Sequence, residues 1–233
     1  ALLNSLPTLM DFDALWLRDP GSINNLKKIG CTAPTILGSD LAFLHETWCP
    51  PDLALVPRQP RSSGTRPLIG LVLRDWPSLD GDKLRDSVAE LSRHYRLQLV
   101  SLNPDADRET IMAFSDMPHL LWEPDSMSMT DFLQGLTAHD ALVSSRAHGA
   151  ICGACLGLPT VILGIEPKLA AVHEMLCESS YYVTEPFGHE ALSAGITKAL
   201  EVSHDRIFSD VQRNRNASKS AMKKVANCLE KQN

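Results

Sequence analysis

The sequence contains no long apolar run, no excess of positive charge, and no internal repeat or low-complexity tract. A membrane-spanning helix needs ~20 consecutive apolar residues, and no segment approaches that length. Acidic residues outnumber basic ones by 28 to 22, so the net charge is −6 at pH 7. This balance argues against a general affinity for nucleic acid or anionic membranes, so any anion site must be a local cluster of cations.

The cysteines are scattered along the chain, and their spacing is not that of a zinc site. The six cysteines are Cys31, Cys49, Cys152, Cys155, Cys177 and Cys228. Cys152 and Cys155 form a C-x-x-C pair, which occurs in redox and metal sites. Because they lie in a predicted helix rich in Gly and Ala, without a second Cys/His pair, we interpret them as buried apolar side chains. We therefore expect no metal, and reduced thiols in a cytoplasmic protein.

What the sequence does contain is a regular alternation of predicted strands and helices. Strands are predicted at 67–76, 97–102, 119–122, 141–143, 160–165 and 181–184, and helices at 81–95, from 105, 128–138, from 147, 169–177 and 190–202. Repeated βα units with apolar strands are typical of a parallel sheet covered by helices, so we expect an α/β, Rossmann-like domain. A more polar helix is predicted at 205–230.

Residues 1–56 have a different character, with short predicted elements that resemble the last βα units of a preceding domain. The proline-rich segment that follows predicts a linker at 57–66, and residues 67–233 would form the second domain with its closing helix. The chain begins inside an apparent helix, and part of a sheet would leave apolar edges exposed. We therefore expect a missing N-terminal segment or a partner chain to complete the first domain.

The most informative stretch is 140–168, a strand, a tight corner, a helix of small residues, a second strand and a corner ending in lysine. Arg146, His148 and Lys168 follow the ends of these two strands. In open parallel sheets, ligands bind outside the carboxyl ends of the strands. The free N–H groups at the start of the helix favour an anion at the same place. The sequence thus predicts a site for a small anionic substrate.

The helix in this stretch carries glycine at every fourth position, at Gly149, Gly153 and Gly157. Residues four apart lie on one helix face, so the pattern predicts a close approach of the helix to the sheet.

Three segments carry a resemblance to a known family. They are residues 16–22 (WLRDPGS) with the downstream 39–43 (SDLAF), residues 69–74 (IGLVLR), and residues 145–148 (SRAH) with 157–159 (GLP) and 166–168 (EPK). In this order they resemble the polysaccharide pyruvyl transferases, which move the enolpyruvyl part of phosphoenolpyruvate onto a sugar to form a pyruvate ketal. Ala147 and Glu166 replace the leucine and aspartate that are usual in the family.

The resemblance implies a GT-B-like enzyme of two Rossmann-like halves, of which this chain would hold the C-terminal half and the end of the N-terminal half. It implies phosphoenolpyruvate as donor substrate, with no further cofactor. The acceptor would be a sugar of a cell-envelope polysaccharide or its precursor. A lipid-linked acceptor would bring the protein to the membrane periphery, whereas no nucleic-acid partner is expected.

The resemblance also implies roles for individual residues. His148 could protonate the methylene carbon of phosphoenolpyruvate as a general acid, or only hydrogen-bond its phosphate. Arg146 suits a carboxylate or phosphate, with an interdomain salt bridge as its alternative role. Lys168 would hold phosphate as a compact charge, and Ser145 belongs to the same motif as a substrate-binding residue.

Three further residues have alternatives that the sequence leaves open. Arg18 would complete the anion site from across the cleft, or pair with Asp19 or Asp40. Arg74 ends a strand on the expected side of the sheet. Glu166 would orient Lys168 or His148, act as base for the acceptor hydroxyl, or cap a helix.

Two other functions also fit the sequence. A GT-B glycosyltransferase donor domain would have the same architecture, and a non-catalytic module could retain the fold. The tryptophan at 76, just after Arg74, could line a sugar cleft.

Overall fold

The computed structural model describes residues 2–58, 64–75 and 81–230. Much of the predicted linker at 57–66 and the tryptophan at 76 lie outside these residues. The chain forms two compact units, one of Ala1–Leu44 with Val211–Asn233 and the other of His45–Asp210. We call them the first and the second unit.

The first unit contains a two-stranded parallel sheet between short helices. Its elements are α1 (Leu2–Met10), β1 (Leu15–Leu17), α2 (Pro20–Lys28) and β2 (Thr35–Leu37), followed by a 3₁₀ turn at Leu41–Phe43. Leu15 pairs with Thr35 in the sheet. Helix α2 begins where the Asp19 carboxylate accepts a bond of 2.7 Å from the Ser22 amide, a typical N-cap.

The second unit is built on a six-stranded sheet in which all paired strands are parallel. The strands are β3 (Leu68–Val72), β4 (Arg96–Ser101), β5 (His119–Leu121), β6 (Ala141–Ser144), β7 (Thr160–Leu163) and β8 (Ser180–Val183). Their order in the sheet is β5-β4-β3-β6-β7-β8. This is the Rossmann order, whose direction reverses between β3 and β6, and it confirms the predicted α/β parallel sheet.

Helices cover both faces of this sheet, and every residue of the strands β6 and β7 is buried, as is typical of a parallel sheet. The helices are α3 (Gly81–Leu91), α4 (Arg108–Ala113), α5 (Met129–Thr137), α6 (Ala147–Cys155), α7 (Pro167–Met175), α8 (His189–Leu200) and α9 (His204–Glu230). Helices α3 and α8 share one apolar core with the sheet, and α5 contributes to a second core that contains Leu142 and Leu156. The contacts divide α9 between the units after Asp210.

The segment after Leu44 belongs with the second unit by its contacts. The Leu55 amide donates to the Cys155 carbonyl at 2.8 Å, and His204 Nε2 lies 2.7 Å from the Leu55 carbonyl oxygen. Cys49 is buried in the core that contains Leu142. The units therefore divide at residue 44, whereas the proline-rich composition had suggested a boundary at 56.

The glycines of α6 hold this helix close to the sheet, as the sequence pattern predicts. A Cβ atom on Gly149 would lie 2.6 Å from Ser144 Oγ and 2.7 Å from Val72 Cγ1, and one on Gly153 would lie 2.6 Å from Leu142 Cδ1. Gly157 has another role, because it lies beyond the helix end with φ of +85° and lets the chain turn.

None of the helices in the described part of the chain is long and apolar enough to cross a membrane.

The close packing at Gly149 predicts the effect of one added methyl group. Gly149→Ala improves helix propensity by about 1 kcal/mol, but the contacts with Ser144 and Val72 should make it destabilising by about 1–3 kcal/mol. A Cβ on Gly81 meets no atom of the described residues within 4 Å, so Gly81→Ala is the matched control. Urea unfolding of both variants tests this, and equal stability of Gly149→Ala and Gly81→Ala would contradict it.

The buried side chain of His139 should make the stability of the protein depend on pH. Its side chain is 2% exposed, and burial lowers the pKa of its imidazole below the ordinary 6.5, opposed by the Leu136 carbonyl and the Asp140 charge. The unfolded chain therefore takes up a proton before the folded one, so the free energy of unfolding should fall as pH drops below about 6.5. His139→Gln should flatten this decline in unfolding experiments between about pH 7 and 5. An unchanged pH profile would show that His139 does not contribute.

Candidate functional site

Six of the seven site residues predicted from sequence lie at one edge of the sheet in the second unit. They follow the carboxyl ends of three adjacent parallel strands: Arg74 after β3, Ser145, Arg146 and His148 after β6, and Glu166 and Lys168 after β7. Because β3 and β6 flank the reversal of strand order, this edge is where open α/β sheets bind ligands. The sequence-based expectation that Arg74, Arg146, His148 and Lys168 lie at strand ends agrees with the structure.

Ser145 links the ends of β3 and β6 by hydrogen bonds. Its side chain is fully buried, and its Oγ accepts a bond of 3.0 Å from the Arg74 amide. The same hydroxyl lies 3.5 Å from the Val72 carbonyl oxygen, to which it can donate. These bonds fix the main chain at Arg74, so the contacts of Ser145 in this structure are with the sheet itself.

Glu166 joins two cations. Its Oε1 accepts from Arg74 Nη1 at 3.2 Å and from Lys168 Nζ at 2.8 Å. The side chain is 13% exposed, whereas that of Lys168 is 40% exposed. Glu166 occupies the N-cap position of α7 but makes no side-chain capping bond. Of the roles considered for it, the orientation of Lys168 is the one that these contacts favour.

Lys168 lies in the first turn of α7, because this helix begins at Pro167, two residues earlier than the sequence pattern suggests. Proline at the first helical position has a fixed φ that suits the helix and lacks the N–H that would be unpaired there. The helix dipole disfavours a lysine at this end, so the bond to Glu166 offsets a local electrostatic cost.

Arg146 is held by a carboxylate that sequence reasoning missed. Its guanidinium forms an ion pair with Asp107 Oδ1. Asp107 is 1% exposed, and its second oxygen accepts from Ser101 Oγ at 2.7 Å. Ser101 ends β4, so this partner also comes from the carboxyl edge of the sheet. An aspartate just beyond a strand end was the available signal, but at a predicted helix start it is typical of a cap.

The main chain of Arg146 is also fixed. Ser144 Oγ donates to the Arg146 carbonyl at 2.8 Å and accepts from its amide at 3.1 Å. His148 follows in the first turn of α6 and is exposed to solvent. An exposed imidazole at the helix start can reach a ligand at this edge, whereas one in the apolar core could not.

Arg18 lies in the first unit and is paired there. Its Nη1 donates to Asp40 Oδ2 at 3.2 Å, and its Nε lies 3.9 Å from Asp19 Oδ2. Both pairings considered from sequence are therefore present. The role of Arg18 in an anion site across a cleft stays a prediction.

The local charge at the edge opposes the charge of the whole chain. Three cations, Arg74, Arg146 and Lys168, are balanced by two carboxylates, Asp107 and Glu166, in a chain of net charge −6. These five side chains thus sum to one positive charge, apart from His148 and from the neighbouring Asp75 carboxylate, which binds the first turn of α4, and their cations can attract an anion. Among the described residues, no group of three or more His, Cys, Asp or Glu side chains could hold a metal ion.

Two concave surfaces of the second unit lie near or beyond this edge. A cavity of about 440 Å³ opens beside Arg74, between α3 and α4. A groove of about 940 Å³ lies toward the amino ends of β3 and β4, lined by Leu68 and Arg96 among others, and so is remote from the strand exits.

A protein-family model described as "Polysaccharide pyruvyl transferase" matches residues 7–167 of the chain. This range contains the candidate residues except Lys168, which follows it directly. None of the curated proteins matches the sequence.

Solved structures share the fold at low sequence identity. TarM is 11% identical with a TM-score of 0.60, over 97% of this chain and 45% of its own. Anabaena Alr3699/HepE, solved in complex with UDP-glucose, is 12% identical with a TM-score of 0.60, over 98% of this chain and 67% of its own.

Sucrose-phosphate synthase from Thermosynechococcus elongatus is 14% identical with a TM-score of 0.62, over all of this chain and 62% of its own. The chain therefore spans between about half and two thirds of these structures. At this identity they establish the fold alone, which is the Rossmann-like fold of GT-B glycosyltransferases.

Removing one partner of the Arg146–Asp107 ion pair should strongly lower the free energy of unfolding. Arg146→Met leaves the Asp107 carboxylate buried without its cation, which should destabilise the protein by about 3–5 kcal/mol. The double variant Arg146→Met/Asp107→Leu should recover most of that loss. Arg93→Met removes an exposed pair with Glu90 and should cost at most about 1 kcal/mol. Denaturant unfolding measures all three, and a small loss in Arg146→Met would contradict the buried pairing.

Proposed function

Because the chain belongs to the polysaccharide pyruvyl transferase family, we propose that it transfers the pyruvyl group of phosphoenolpyruvate onto a sugar of a cell-envelope polysaccharide or its precursor. The family is one of transferases. The observation that carries the proposal is the cluster of Arg74, Arg146 and Lys168 beside His148 at the carboxyl ends of β3, β6 and β7. We further propose a cytoplasmic enzyme with a free or lipid-linked glycan acceptor.

Phosphoenolpyruvate suits this cluster because it carries a phosphate and a carboxylate on one small carbon skeleton. Arg146 presents a planar fork that suits a carboxylate or phosphate, and Lys168 a compact charge that suits phosphate. Asp107 and Glu166 hold these cations through ion pairs. Binding then costs less side-chain entropy than it would with free arginine and lysine side chains.

The proposed reaction joins two hydroxyls of one sugar to the central carbon of the donor. One hydroxyl oxygen bonds to that carbon while the methylene carbon takes up a proton and becomes a methyl group. The bond to the phosphate oxygen then breaks, and the second hydroxyl oxygen takes its place. Of the two hydroxyl protons released, one replaces the proton given to the methyl group and the other leaves with hydrogen phosphate.

His148 is the proposed proton donor because it is exposed at the edge and histidine is the side chain most often used as a general acid. Glu166 was also considered as base for the acceptor hydroxyl. Its Oε1 already accepts from Arg74 and Lys168, so we favour an orienting role for it. The cations would stabilise the charge that develops on the departing phosphate.

A glycosyltransferase donor domain is the alternative from the same fold. Such domains usually bring a carboxylate to the ribose of a nucleotide sugar. Glu166 is the candidate carboxylate for that contact at this edge, and its bonds to two cations favour a small anion instead.

The test is phosphate release from phosphoenolpyruvate in the presence of a panel of free and lipid-linked oligosaccharides. His148→Ala should lower kcat by about 10²- to 10⁴-fold, because a proton donor acts mainly in the transition state. Lys168→Ala should mainly raise KM for phosphoenolpyruvate, because a phosphate clamp also acts in the ground state. His189→Ala, an exposed histidine at the start of α8, is the matched control and should keep full activity.

Near-normal turnover of His148→Ala would refute the acid role. Release of nucleotide from UDP-glucose, with no phosphate released from phosphoenolpyruvate, would indicate the glycosyltransferase. Binding of neither donor would indicate a non-catalytic module.

A further inference from the structure

Asp107 occupies the N-cap position of α4 but does not cap this helix. An aspartate at this position usually accepts a bond from an amide of the first turn. Here the side chain makes no capping bond. Its two oxygens bind the Arg146 guanidinium and Ser101 Oγ instead.

The capping role is taken by Asp75, which follows Arg74 at the end of β3. Its Oδ1 accepts from the Thr110 amide at 2.8 Å and also binds the Thr110 hydroxyl. Its Oδ2 accepts from the Glu109 amide at 3.3 Å. Since a neighbouring strand exit supplies the cap, the carboxylate of Asp107 is available for another purpose.

The surroundings of Asp107 hold it rigidly. It is 1% exposed, and Ser101 Oγ, which donates to it, also accepts from the Asn103 amide at 3.2 Å. The Asp107 amide donates to the Asn103 carbonyl at 3.1 Å. The arginine that it holds is 20% exposed and begins α6 at the edge of the sheet. Burying a carboxylate in this way is unfavourable, and the cation that offsets it among the described residues, Arg146, belongs to the candidate site.

We propose that Asp107 is a positioning residue that fixes the Arg146 guanidinium for an anion at the carboxyl edge, with Ser101 bonded to its second oxygen and Asp75 capping α4 in its stead. The inference rests on the proposed function, since phosphoenolpyruvate is taken as that anion. It adds a residue that lies outside the sequence motifs. It also predicts a change in anion affinity opposite to the one that charge alone predicts.

Charge and orientation predict opposite results for Asp107→Asn. The substitution removes one negative charge beside Arg146, so by charge alone an anion should bind more tightly. If Asp107 acts by orienting Arg146, the substitution leaves the guanidinium less well placed, and the anion should bind more weakly. A misplacement of about 1 Å can cost on the order of 100-fold in function.

The experiment measures the Kd of phosphoenolpyruvate, inorganic phosphate and UDP-glucose by calorimetry, with folding checked by circular dichroism. Asp107→Asn should weaken binding about 10- to 100-fold. Ser101→Ala leaves the charge unchanged and should weaken binding less, in the same direction. Asp131→Asn removes a carboxylate from an exposed pair with Ser128 at the start of α5, and should leave binding unchanged.

A double variant separates positioning from general structural damage. In an Arg146→Gln background, Asp107→Asn should have no further effect on binding, since the group that it positions is absent. An additive loss in the double variant, or unchanged or tighter binding in Asp107→Asn, would overturn the proposal.

Measuring three anions distinguishes a failure of the proposed function from a failure of the positioning role of Asp107. If the wild type binds UDP-glucose and not phosphoenolpyruvate, the proposed function fails, and the effect of Asp107→Asn on UDP-glucose still decides the positioning role. If no anion binds in a way that depends on Arg146, both inferences fail.

Discussion

Two carboxylates, Asp107 and Glu166, hold three cations at the carboxyl ends of β3, β6 and β7, and the proposed anion site depends on these ion pairs. Without the carboxylates, Arg74, Arg146 and Lys168 would repel one another at a crowded edge. With them, the cations have defined positions and these five side chains keep a net positive charge. A protein of net charge −6 can attract a small anion only through such a local excess.

The fold brings these groups together because strand order reverses between β3 and β6. The chain leaves these two neighbouring strands toward helices on opposite faces, which opens a crevice at their ends. Ser145 bonds the Arg74 amide across this junction, and Ser144 bonds the main chain of Arg146. Gly149 and Gly153 allow α6 to lie close to the sheet. This packing fixes the position of the start of the helix, where Arg146 and His148 lie.

The sequence predicted the parallel α/β sheet because alternating apolar strands and amphipathic helices are local signals. It also predicted the edge of the site, since Arg146, His148 and Lys168 each follow a strand. It did not predict Asp107 as the partner of Arg146. These residues are far apart in the chain, and an aspartate at a helix start looks like a cap until Asp75 is seen to cap that helix. The grouping of residues 45–58 with the second unit was likewise hidden, because main-chain bonds to Cys155 leave no pattern in composition.

The central claim is that this edge binds phosphoenolpyruvate through the paired cations. A crystal structure of the protein with phosphoenolpyruvate tests it most directly. Ligand oxygens should lie within hydrogen-bonding distance of Arg146 and Lys168 while Asp107 and Glu166 keep their bonds to these residues. A ligand bound elsewhere, for example in the groove beside Arg96, would contradict it.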